Sequence, residues 1–134
     1  MGHAPAAPET MNPFNLFYAD AEAAWHLTNH PLPLRRALPP GIHGLSNGAH
    51  DKPWAKTRAL ETALGQWLEA GRDDPAPLLS ALRDETELFG EGPEPRFSSV
   101  FIRHPLYGTR CSTVITIDCQ GQGRIIERRF DAEG

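Results

Sequence analysis

The apolar positions of the chain fall into three stretches with different periods. Residues 14–19 are aromatic and suited to a strand, residues 20–23 read as a turn, and residues 24–28 read as a second short strand. Two such runs joined by a short polar loop predict a β-hairpin. Residues 29–41 hold Pro31, Pro33, Pro39, Pro40 and Gly41. Each proline removes a backbone donor and fixes φ, so no regular structure is expected there. Residues 42–46 are a candidate third strand.

The period then changes. Leu60, Ala63, Leu64, Trp67 and Leu68 stand at i, i+3, i+4, i+7 and i+8, one apolar stripe that predicts a helix over 53–70. Pro53 suits its first turn and Gly71 its end. A second helix is expected after Asp74, its N-cap, with Leu78, Leu79, Leu82 and Phe89 on its apolar side and its end in the Gly- and Pro-rich residues 90–95. Residues 97–102 alternate weakly, as a strand would. Residues 111–118 place Cys111, Thr113, Ile115 and Ile117 on one strand face. The glycines in 119–123 mark a hairpin turn, and 124–130 return as a strand. Strands, then two helices, then strands predict an α+β fold in which helices cover one face of antiparallel sheets.

Composition sharpens this picture. The chain has 134 residues, the size of one domain. Its 12 glycines and 13 prolines predict many turns and long connections. A net charge of −4 argues against non-specific nucleic-acid binding. No apolar run approaches the ~20 residues that cross a bilayer. Residues 1–11 are rich in alanine and proline and read as a disordered leader, with 12–134 as the folded region. Residues 1–10 lack the cationic start and apolar run of a secretory signal, so a cytoplasmic location is expected. Cys111 and Cys119 would lie about 26 Å apart along a strand at ~3.3 Å per residue. A disulfide needs Cα atoms within ~7 Å, so two free thiols are expected.

Candidate chemistry is sparse. His26 and His30 are four apart, but on a predicted strand and loop, where that spacing carries no metal-binding geometry. His43 and His50 fall in loop sequence, and no paired-cysteine zinc motif exists, so neither metal nor cofactor is expected. Cys111 could act as a nucleophile with His104, yet a buried structural cysteine is the plainer reading. Trp67 lies in the helical stripe and reads as core. Trp54, at the start of that helix, suits packing or ligand contact equally.

Two segments look unlike ordinary scaffold. One is Gly44-Leu-Ser-Asn47 with Asp51-Lys-Pro-Trp54 and Lys56 following; the other is Tyr107-Gly-Thr-Arg-Cys-Ser-Thr113. Glycine lets backbone approach a ligand closely. An asparagine amide can donate to a developing oxyanion, and an arginine can hold a carboxylate. The plainer reading is a turn asparagine, Asn47, and a strand-end arginine, Arg110, paired with an acid such as Glu127.

Together with Phe14-Asn-Leu-Phe, Ser98-Ser-Val-Phe-Ile102 and Glu127-Arg128, these segments resemble the NRDE family, the Transport and Golgi organisation protein 2 family, over residues 14–130. The resemblance implies half of an N-terminal-nucleophile-hydrolase-like αββα sandwich, with antiparallel strands and two packed helices. In such enzymes the nucleophile is the first residue of the mature chain, and its own α-amino group is the base. Family members are longer, begin Met-Cys and carry an Asn-Arg-Asp-Glu sequence. Neither feature is present here, and Cys111 stands where serine is more usual. The chain is therefore expected to be the C-terminal half of an amide-hydrolase-like protein, inactive alone. By analogy Asn47 would donate to the oxyanion and Arg110 support the nucleophile, with Ser46, Trp54 and Tyr107 contacting substrate.

Two alternatives stand beside that expectation. One is a non-catalytic binding protein for haem, a lipid-like ligand or a protein partner, with His43, His50 or Cys111 as candidate haem ligands. The other is the product of a shortened reading frame with no function of its own. A half-sandwich leaves sheet surface uncovered, so a second copy or an N-terminal half is the expected partner.

Overall fold

The computed structural model describes residues 11–48, 52–89 and 95–131. The expected leader, apart from Met11, lies outside these residues, as do His50 and Asp51. Three strands come first: β1 (Asn15–Ala19), β2 (Ala24–Thr28) and β3 (Leu34–Leu38), antiparallel in the order β1-β2-β3. Helices α1 (Ala55–Glu69) and α2 (Ala76–Ala81) follow, then a 3₁₀ turn (Pro95–Phe97) and the antiparallel hairpin β4 (Cys111–Ile117) and β5 (Gly123–Arg129). The fold is α+β, with antiparallel sheets and two helices, as the sequence pattern predicts.

Both hairpins form where the polar loops predict them. Ala19 pairs with Ala24 across residues 20–23. Asp20 closes that turn, its Oδ1 accepting from the backbone N–H groups of Glu22 (2.8 Å) and Ala23 (2.9 Å), which holds its carboxyl below the ordinary range. At the second hairpin Ile117 pairs with Gly123. Asp118 Oδ1 accepts from Gln120 and Gln122 N–H at 2.9 Å each, and Gly121 takes φ +78°, which glycine adopts without strain. Cys111 and Cys119 are both free thiols.

Five expectations are corrected. Residues 34–38 form a strand despite the surrounding prolines, because Pro31, Pro33, Pro39 and Pro40 bracket the five-residue run without entering it. Residues 42–46 form no strand; they run along α1, with Gly44 flush against Thr57 and Glu61. The second helix ends at Ala81 and Phe89 is exposed. Its end follows from Asp84, whose side chain accepts from Thr86 N–H (2.8 Å) and whose carbonyl accepts from Phe101 N–H (2.8 Å). Residues 97–102 are not a strand either. Ser98 Oγ donates to Pro95 O (2.7 Å) and Ser99 Oγ to Phe101 O (2.6 Å), local bonds that replace a ladder. Lastly, Cys111 is exposed: β4 turns Ser112 and Val114 inward and leaves Cys111, Thr113, Ile115 and Ile117 outside.

The interior is built around Phe101, only 1% exposed, with Leu79 and Val114 also buried. Phe130 meets Phe101 edge-on at 4.8 Å, and the Arg83 guanidinium lies 3.9 Å from the Phe101 ring centroid. Trp67 is only half-buried; its indole N–H donates to Asp74 O (2.6 Å) and ties the end of α1 to the approach of α2. No helix among the described residues is long and apolar enough to cross a membrane.

Candidate functional site

The site begins with an asparagine in β1. Asn15 sits on the inner face of the first sheet, opposite Thr28. Its Nδ2 donates to the carbonyls of Ser46 (3.2 Å) and Gly48 (3.1 Å), and its Oδ1 is 3.0 Å from His26 Nε2. Because Asn15 spends its amide hydrogens on two carbonyls, its oxygen must accept, so His26 carries its proton on Nε2. His26 is buried in β2, 2% exposed. Burial, and then the charge of Arg36 opposite it, hold its pKa below the ordinary imidazole value.

This bracing fixes the bend at Ser46, Asn47 and Gly48. Ser46 Oγ accepts from Gly48 N–H at 3.4 Å. Gly48 lies so close to the Trp54 indole that a Cβ there would fall 2.6 Å from Nε1. The bend therefore rests on both β1 and the start of α1, and Asn47 at its centre is exposed.

Between residues 42–47 and α1 lies a cleft of about 420 Å³. Ser46, Asn47 and Trp54 line it together with Lys56 and Glu61 of α1, and Val100 forms part of its wall. Asn47 also borders a second cleft of about 610 Å³, shared with Phe14, Asn15, His30 and Gly48. Lys56 is half-buried; its Nζ donates to Phe97 O (2.8 Å) and lies 5.5 Å from the Trp54 ring centroid. Burial holds its pKa below the ordinary lysine value.

The other two candidate residues lie elsewhere. Tyr107 is exposed and packs edge-on against Phe97 at 5.4 Å, the residue whose carbonyl holds Lys56, and does not line the cleft. Arg110 reaches two backbone carbonyls, Pro105 (3.4 Å) and Asp131 (3.5 Å), rather than the cleft. Glu127 is joined to Arg129 at 2.8 Å, not to Arg110. His104 Nδ1 accepts from the N–H groups of Leu106 (3.2 Å) and Tyr107 (3.1 Å), which turns it into the local loop. His43 Nε2 meets Pro39 O at 2.7 Å. Among the described residues no group of His, Cys, Asp and Glu is arranged to hold a metal ion.

Sequence reasoning missed Asn15, Glu61 and Val100 as parts of the site. Asn15 did carry a signal: a polar amide in an aromatic strand, with its side chain on the same face as Phe17. Glu61 carried none, because only the packing of α1 brings it to the cleft, and Val100 stood in the 98–102 segment with no role attached.

Residues 4–132 match the sequence model of the family described as Transport and Golgi organisation 2. A Bos taurus protein named "Transport and Golgi organization protein 2 homolog" is 34% identical over 112 residues, covering 68% of this chain and 39% of its own length. The Homo sapiens protein of the same name is 30% identical over 139 residues, covering 87% of this chain and 50% of its own. A Mus musculus relative is 27% identical with the same coverage, 87% and 50%. The chain thus spans half the length, or less, of these relatives.

Proposed function

The chain belongs to the Transport and Golgi organisation 2 family, and on that premise we propose that the cleft between residues 42–47 and α1 is the ligand side of an amide-hydrolase-like centre. Asn47 donates its side-chain amide to the oxyanion that forms when a linear amide is attacked. Ser46 and Trp54 contact the substrate beside it. The attacking group comes from the part of the family protein that this chain does not span. Arg110 and Tyr107 act at one remove, Arg110 by holding the 105–110 loop and Tyr107 by packing on Phe97.

The observation that carries this reading is the bracing of the Asn47 bend by Asn15. An oxyanion donor is useful when it is fixed before the charge develops, since it then costs no reorganisation during the reaction. Two hydrogen bonds from β1 and the seat of Gly48 on Trp54 supply that fixity.

The test joins this chain to the uncovered part of the human relative and follows hydrolysis of linear amides. Asn47→Ala is expected to lower kcat by ~10²–10³ with little change in KM. Equal rates for the two proteins would remove Asn47 from the chemistry. A second reading is a binding protein without catalysis, for haem, a lipid-like ligand or a protein partner. It is favoured by the apolar side of the cleft, which Ile42, Leu45, Leu60, Leu64 and Val100 line. That reading expects ligand binding in the joined protein with no turnover.

A further inference from the structure

Lys56 is a cation that forms no ion pair with any described carboxylate. An ammonium has three N–H donors. One is spent on the Phe97 carbonyl, and the Trp54 ring face offsets part of the charge. No carboxylate of a described residue is within ion-pair distance of it. Lys56 is also the only lysine or arginine among the described residues that line the cleft. An ammonium with hydrogens to spare and no ion pair among the described residues is suited to a ligand that brings an anion.

The rest of the cleft narrows the kind of anion. Ile42, Leu45, Leu60, Leu64 and Val100 make an apolar wall. Glu61 borders the same space, with its carboxylate against Gly44: Oε1 would lie 2.7 Å from a Cβ there. One negative charge neutralises Lys56. A polyphosphate or dicarboxylate would carry its excess charge toward Glu61, where like charges repel.

We propose that Lys56 anchors the carboxylate of a monoanionic ligand whose apolar body fills the cleft beside Asn47. This rests on the reading of the cleft as the ligand site of the family protein. The carboxylate takes the ammonium hydrogens that Phe97 leaves over, and the aliphatic or aromatic body lies along Leu60 and Leu64.

The full chain is titrated with 4-phenylbutyrate and with the neutral 4-phenylbutan-1-ol, followed by calorimetry and tryptophan fluorescence. The carboxylate is expected to bind about tenfold or more tightly than the alcohol, the worth of one charge-assisted hydrogen bond. Its affinity falls with added salt while that of the alcohol does not. Lys56→Met makes the two ligands equal, and Lys56→Arg keeps the preference. Equal binding by the wild-type chain overturns the proposal. So does the absence of carboxylate binding at millimolar concentration, or a preference that survives Lys56→Met. If Lys56→Met does not fold, the salt dependence of the wild type decides. The ratio of the two affinities reads the anchor and hydrolysis of linear amides by the joined protein reads the hydrolase proposal, so the two fail separately.

Discussion

Asn15 links the first sheet to the candidate site through a single amide. Asn15→Ala removes two hydrogen bonds to the Ser46 and Gly48 carbonyls and the acceptor of His26 Nε2. Leaving part-buried partners unsatisfied typically costs about 1–3 kcal/mol. The variant is expected to unfold at lower urea concentration and to exchange the amides of Ser46 and Gly48 faster. His26 makes the same region sensitive to pH. Its folded pKa is depressed, so between that value and about pH 6.5 the unfolded chain binds the proton that the folded chain refuses. Stability is then full above about pH 6.5 and falls as the pH is lowered through that window. A plot of unfolding free energy from pH 8 to pH 5 should show this fall, and His26→Gln should flatten it.

Among the elements, those with a single dominant signal were legible in the sequence. Helix α1 follows its apolar stripe, and both hairpins follow their polar loops, Asp20 and Asp118 closing the turns with their own side chains. The errors arose where local signals competed. Proline density hid β3, although Leu34–Leu38 contains no proline. The leucines of 78–82 suggested a longer helix, but the Asp84 side chain and carbonyl redirect the chain. Ser46, Asn47 and Trp54, singled out in the sequence, line one cleft because their segments meet in one loop and one helix start. Their bracing was not legible, because Asn15 reaches them across 31 residues of chain. Gly44 tests the seat of that loop on α1. A Cβ at Gly44 would stand 2.3 Å from Thr57 Cγ2, so Gly44→Ala must push residues 42–47 away from the helix. A loss of about 1–3 kcal/mol is expected, read as a lower thermal midpoint, together with weaker binding in the cleft.

The molecule as a whole leaves an apolar face open on each sheet. Leu16 and Tyr18 of β1 are exposed on one sheet, and Ile115, Ile117 and Ile125 on the other, with Ile117 72% exposed. Surface apolar residues add little to the stability of the fold that exposes them. Ile117→Thr is therefore expected to leave the unfolding free energy within about 0.5 kcal/mol of wild type while lowering the fluorescence of a bound hydrophobic dye. A large loss of stability would mean that β4 packs its outward face within this chain. The cleft is bounded by α1, residues 42–47 and Val100, and among the described residues the open faces of the hairpins do not line it. The measurement that tests the central claim most directly is a ¹H–¹⁵N spectrum of the full chain during titration with 4-phenylbutyrate. The account predicts shifts concentrated at the amides of Gly44, Ser46, Asn47 and Gly48 and at the Trp54 indole. Shifts centred on Ile115, Ile117 and Ile125 instead, with the Asn47 bend unmoved, would contradict it.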